Sequence, residues 1–364
     1  MVGLHFGNLG SPRSTRPVGW PGSLFHRVPA ARLMHVGYFV VCSNHKVLTD
    51  AGSIFKENMI YSMGVASIVA VATLLGLWTP DWDRAGLEKK YETPDTQFAV
   101  IQGQRVHFQD SGPKEAPVLL MLHGFGSSLQ TWDAWADSLQ KHYRVICLDL
   151  PGFGLSGASP KNAYSEVDDV QFIENFVTAM SIPEFSLIGH SMGGKIAWNV
   201  AAANPSKVKR LILIAPDGYA DPEDIGAKPY VIPMLMQVMK YSLPKFFVRK
   251  SLEPAFYDGK ALTEDLLTRY HDFLRAPGVR QAIIDRANQT INTDPVARLK
   301  NITAPTLLLW GDSDRMIPPD NATRYANVLT TSTTVVLPKQ GHLLQEERPQ
   351  EGLAKVIAFL SPDR

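Results

Sequence analysis

The chain has 364 residues, enough for one large α/β domain with additional segments, and its 45% hydrophobic and 20% charged residues are a globular balance. Thirty-six Lys and Arg against 35 Asp and Glu leave a formal charge of +1, which gives no electrostatic case for nucleic acid as a partner. The two cysteines, Cys42 and Cys147, are too few and too far apart to suggest a disulfide framework or a metal site.

Residues 1–58 are rich in Gly, Pro, Ser and Arg, have no sustained periodicity, and are expected to be poorly ordered. Residues 59–78 then give twenty positions without a charge, long enough to cross a bilayer core as a helix. A buried globular helix seldom lacks a polar face over that length. A cleaved secretory signal is the alternative, but no small-residue cleavage site follows before Pro80. The expectation is therefore a protein associated with the membrane through a single N-terminal helix, its later domains outside the cytoplasm. The six Lys and Arg of residues 1–58 favour keeping that end inside. Residues 79–95 read as a polar linker.

From residue 96 the pattern becomes strand and helix in alternation. Residues 98–101 and 105–108 flank Gly103 as a hairpin. The apolar runs 118–122 and 144–148 read as buried strands, with Cys147 inside the second. Ser165 with Asp168 three residues on resembles a capping box and opens a helix. A strand leading to Ser191, a helix after it, and strands at 210–214, 306–310 and 333–337 complete the series. Near-continuous apolar strands separated by helices predict a mostly parallel central sheet flanked by helices on both faces. Residues 217–301 break this alternation with several helices interrupted by prolines, as expected for a cap inserted between two strands, so that 96–216 and 302–364 form the core.

The chemistry is carried by Gly189-His190-Ser191-Met192-Gly193-Gly194, a Gly-x-Ser-x-Gly turn between strand and helix that reads as a nucleophile elbow. A serine hydroxyl is a weak nucleophile near neutral pH and needs a base, which in turn needs an orienting acid. In a sheet of this kind the order is Ser, acid, His. Downstream, the run ending in Gly311 leads into Asp312-Ser313-Asp314, and the first histidine after that loop is His342, past the last strand. Gly152-Phe153-Gly154-Leu155-Ser156-Gly157 formally matches a dinucleotide fingerprint, but no helix follows to hold a pyrophosphate. No cofactor is expected, and His271 and the other histidines lack metal-ligand spacing. Between 230 and 248, Met234, Leu235, Met236, Val238, Met239, Leu243, Phe246 and Phe247 suggest either cap packing or a flexible apolar pocket for an acyl chain.

Over roughly residues 96–364 these motifs, with His123-Gly124-Phe125-Gly126 and Asp149-Leu150-Pro151-Gly152-Phe153-Gly154, resemble the α/β-hydrolase fold family. The resemblance implies Ser191 as nucleophile, His342 as base and Asp314 as the acid, with Asp312 shaping its loop and Asp217 a rarer acid position. It also implies an oxyanion hole from the backbone N–H groups of Phe125 and Met192. His123 would buttress that loop, and His190 would pack at the elbow. The Ser-Met-Gly-Gly elbow is similar to that of single-chain bacterial carboxylesterases and lipases, departing at His190 where many have asparagine. The implied function is hydrolysis of small-molecule or lipid esters through an acyl-enzyme. Carbon–carbon bond hydrolases of ring-cleavage products, or a non-catalytic ligand-binding member of the fold, are the alternatives.

Overall fold

The computed structural model describes residues 59, 61–68, 76–226, 232–233 and 237–361. The expected low order of residues 1–58, and Cys42 with it, lie outside the described residues. From Trp78 onward the chain forms one compact unit, and residues 4–77 belong to a second.

In that second unit the described helical residues are 59, 61–68 and 76–77. Among the described residues no helix is long and apolar enough to cross a membrane. This corrects the expectation of a single spanning N-terminal helix and the localisation built on it. A charge-free run satisfies the hydropathy requirement, but spanning also requires a helix of about 20 residues, and among the described residues none reaches that length.

The main unit is built on an eight-stranded sheet in the order β1-β2-β4-β3-β5-β6-β7-β8. β1 (Thr96–Ile101) and β2 (Gln104–Ser111) form the expected hairpin, turning through Gln102 and Gly103, both in the left-handed region. β2 pairs antiparallel with β4 (Arg144–Leu148). Every further pairing is parallel, through β3 (Val118–Leu122), β5 (Phe185–His190), β6 (Val208–Ile214), β7 (Thr306–Gly311) and β8 (Ser332–Leu337).

Both faces of the sheet are covered, so successive strand residues enter two different cores. Leu120 and Leu122 point into one with Phe176 and Trp198, whereas Leu119 and Met121 point into the other with Trp132, Trp135 and Val356. This is why the central strands read as unbroken apolar runs rather than as alternation. Helix Glu166–Ala179 starts with the predicted capping box, Ser165 and Asp168 each bonding the other's backbone N–H.

Between β6 and β7 the chain leaves the sheet and forms helices Lys245–Leu252, Glu264–Leu274 and Val279–Gln289, with shorter turns. Residues 79–91 are bonded along this inserted segment. The Thr79 N–H donates to Tyr241 O and the Trp82 N–H to Arg275 O, at 2.9 and 2.8 Å. Asp81 pairs with Arg280. Buried Asp272 accepts from Trp82 Nε1, Tyr91 Oη and Lys90 Nζ, at 2.9, 2.9 and 2.5 Å.

Candidate active site

The elbow begins where β5 ends. Ser191 has φ +54° and ψ −120°, and helix Met192–Ala203 starts at the next residue. A non-glycine backbone in this region costs about 1–3 kcal/mol and persists only where its surroundings hold it. Three bonds hold it here: the Ser191 N–H donates to Ile214 O at 2.9 Å, and its carbonyl accepts from Lys195 and Asp217 N–H, both at 3.0 Å. The turn also brings the helix start against the end of β3. A Cβ on Gly193 would lie 2.4 Å from both Leu122 O and His123 O, so no larger residue fits there.

β7 and β8 deliver the other two groups to the same end of the sheet. After Gly311 the chain turns so that Asp314 Oδ1 accepts from the N–H groups of Met316 and Ile317, at 2.8 and 2.9 Å. Its Oδ2 accepts from His342 Nδ1 at 2.7 Å. With Nδ1–H committed to a carboxylate, the free lone pair of the ring is on Nε2, the tautomer a general base requires. The His342 backbone N–H donates to Ala255 O at 2.7 Å, so the inserted segment holds this loop too. His190 Nε2–H donates to the His342 carbonyl at 3.0 Å, and the two imidazole centroids are 4.6 Å apart. Ser191 and His342 are each only 3% exposed.

The other two acids stand elsewhere. Asp312 is exposed, and its Oδ1 accepts from Ser313 Oγ and the Lys339 N–H, shaping the loop. Asp217 follows β6, where its carbonyl accepts from Trp198 Nε1 and Tyr325 Oη at 3.1 and 2.9 Å.

The loop after β3 lies against the nucleophile. A Cβ on Gly124 would come within 3.2 Å of Ser191 Cβ and 2.7 Å of His190 Nδ1. Phe125 is the next residue, with its ring half-exposed and edge-on to Phe153. Met192 opens the helix after Ser191, where first-turn N–H groups have no intrahelical acceptor. Fully buried His123 fixes the loop: its Nδ1–H donates to Gly124 O at 2.7 Å and its Nε2 accepts from the Leu150 N–H at 3.1 Å. Burial holds its imidazole below the usual pKa, in the neutral form this arrangement needs.

Sequence reasoning assigned no role to the group beneath. Asp149, at the end of β4, is fully buried and accepts from Leu129 N–H, Leu155 N–H and His107 Nδ1–H, at 2.8, 2.7 and 2.7 Å. Burial opposes its charge, but His107 foremost, with His123 and the Leu129 N–H, holds its carboxyl below the ordinary range. Gly154, at φ +52°, leaves room for it, since a Cβ there would lie 2.0 Å from Asp149 Oδ2. The Gly152–Gly157 loop is thus an internal support, and the next helix begins only at Glu166. The local signal was a carboxylate ending an apolar strand immediately before a glycine-rich turn.

A second network was also unassigned. Glu346, a few residues past His342, takes Thr131 Oγ1, Tyr270 Oη and Arg269 as donors, and Ser127 Oγ lies 3.3 Å from Tyr270 Oη. It ties the loop after β3 to the inserted helix Glu264–Leu274, where Gly126–Ser128 lie against Arg269, Tyr270 and Phe273. His271 points away and donates from Nε2 to Leu243 O at 2.8 Å.

The apolar stretch of the insertion divides. Leu243 and Val248 are buried with Phe256, Leu267 and Leu343, whereas Val238, Phe246 and Phe247 are exposed. Met234, Leu235 and Met236 lie outside the described residues. The two phenylalanines therefore face solvent rather than an enclosed acyl pocket.

The sequence profile of the alpha/beta hydrolase fold matches residues 117–349, and the chain belongs to that family. Among its relatives, an uncharacterized hydrolase of Bacillus subtilis (strain 168), YugF, is 28% identical over 263 residues, covering 71% of this chain and 94% of that one. The 2-hydroxy-6-oxo-6-phenylhexa-2,4-dienoate hydrolase of Comamonas testosteroni is 28% identical over 268 residues, covering 70% and 91%. Among solved structures, a bacterial membrane phospholipase A superposes with a TM-score of 0.63 at 26% identity, covering 85% of this chain and 98% of that one.

Proposed function

We propose that the chain is a serine carboxylester hydrolase with Ser191 as nucleophile, His342 as base and Asp314 as the group that orients it. The observation that carries this reading is the 2.7 Å bond from His342 Nδ1 to Asp314 beside the strained Ser191 elbow. Ser191 Oγ attacks the ester carbonyl carbon while His342 Nε2 takes its proton. The carbonyl oxygen gathers negative charge and is met by the N–H groups of Phe125 and Met192, each such donor being worth about 10²–10³ in rate. The tetrahedral intermediate collapses, the leaving alcohol takes the proton from His342, and an acyl-serine remains. Water then attacks the acyl carbon with His342 again accepting a proton, and the acid product and free Ser191 result. Likeness to a phospholipase A favours lipid carboxylesters as the substrate class.

Carbon–carbon bond hydrolysis of a vinylogous diketone is the second reading, favoured by the likeness to the Comamonas hydrolase. A panel of short p-nitrophenyl esters, phospholipids, triglycerides and vinylogous diketones separates the two. Ester turnover with a burst of one equivalent, abolished in Ser191→Ala, supports the ester reading. Turnover of diketones alone overturns it, and equal ligand binding by wild type and Ser191→Ala without any turnover points to a binding protein.

A further inference from the structure

Two aromatic pairs of the main unit face solvent. Trp78 and Tyr241, each 57% exposed, stack with centroids 6.1 Å apart, and Phe246 and Phe247, at 57% and 54%, lie with centroids 4.1 Å apart. Helix Lys245–Leu252 needs neither phenylalanine for packing, because Val248 and its neighbour Leu243 supply its buried contact. Each outward phenylalanine leaves a large apolar surface in water, which marks an interaction site when several gather together. Within the run that carries the phenylalanines the charge has one sign. From Gln237 to Leu252 the side chains of Lys240, Lys245, Arg249 and Lys250 are cationic and no acid is present. Glu264 and Glu253 pair with Arg249 and Lys250, while Lys245 bonds the hydroxyl of Thr268 and adds its charge to that of Lys240.

We propose that Phe246 and Phe247, with Trp78, Tyr241, Lys240 and Lys245, form a contact surface for an anionic phospholipid bilayer. Aromatic rings settle at headgroup depth, and each cation beside them gains from the negative surface potential, whereas a neutral protein groove would have no use for the lysines. The surface lies on the main unit and involves no spanning helix. It also stands apart from the chemistry at Ser191. Three residues past Leu252, the Ala255 carbonyl accepts from the N–H groups of His342 and Leu343, at 2.7 and 3.1 Å, so the segment that carries this surface is also bonded to the loop of the candidate base.

The test is hydrogen exchange of the full chain with and without vesicles. Phosphatidylcholine–phosphatidylglycerol vesicles slow exchange in peptides covering 238–252, and pure phosphatidylcholine does so more weakly. Phe246→Ser/Phe247→Ser abolishes the protection while turnover of a soluble ester is unchanged, and Lys240→Gln/Lys245→Gln weakens vesicle partitioning by roughly thirtyfold. Unchanged exchange of 238–252 overturns the proposal even if the chain binds vesicles elsewhere. Protection that rises with protein concentration without lipid overturns it in favour of a second copy of the chain. Loss of ester turnover in every form, with vesicle protection intact, would sink the hydrolase reading alone.

Discussion

His190 Nε2–H and the carbonyl oxygen of His342 are 3.0 Å apart, so the residue before the candidate nucleophile holds the backbone of the candidate base. Phe in place of His190 keeps the bulk but orphans that buried carbonyl, at a cost of about 1–3 kcal/mol. The displaced His342 lowers kcat by about 10–100-fold with little change in KM. Gln, whose side-chain amide can donate, recovers part of the loss. Steady-state kinetics of the two variants on one soluble ester checks this, and equal kcat in both would show that the bond positions nothing.

Asp314→Asn tests the acid. The Asn carbonyl can still accept from Met316 and Ile317, but its amide then meets His342 as a donor and favours the tautomer protonated on Nε2. That tautomer cannot act as base, so kcat drops by about 10⁴ with KM nearly unchanged. Asp312→Asn, at the loop-shaping acid, leaves kcat within about twofold. A larger loss at Asp312 than at Asp314 would reverse the assignment.

Stability depends on pH through groups beneath the site. Burial foremost, aided by His342, holds the His190 imidazole well below its usual range, and burial does the same for His123. Below about pH 6.5 the unfolded chain takes up protons on both while the folded chain does not. Stability therefore falls as pH drops from there, and His190→Gln flattens the decline. Asp149 adds a second fall at lower pH, because the unfolded chain protonates it near 4 while the fold holds it lower. Urea unfolding between pH 8 and 2.5 measures both, and stability independent of pH over that range would refute the account.

Asp272 gathers three donors from the 79–91 stretch. Asp272→Ala costs about 3 kcal/mol and exposes that stretch, so limited proteolysis cuts within 79–95 several-fold faster. Cleavage at the wild-type rate would mean the strap is held by its backbone bonds alone.

Much of this was readable from local pattern. The elbow and the parallel strands follow from apolar runs and turn residues whose physics is short-range, whereas the choice of Asp314 over Asp312 and Asp217 rested on the family resemblance. The hub at Asp149 and His107 was not readable, since it joins side chains 42 residues apart through backbone donors that no periodicity encodes. The same holds for the bonds from residues 79–91 to Tyr241 and Arg275. The outward placement of Phe246 and Phe247 was missed because composition counts apolar residues without saying which face they take. At residues 59–78 composition likewise showed the absence of charge without showing a membrane-spanning helix, and none is long enough among the described residues.

Asp149 joins the loops after β3 and β4 and strand β2 through one carboxylate. Those pieces cannot be altered one at a time, since any change that shifts one leaves the others with a buried charge and too few donors. A substitution in any one of the three therefore reaches the other two through Asp149, however far apart they stand in sequence.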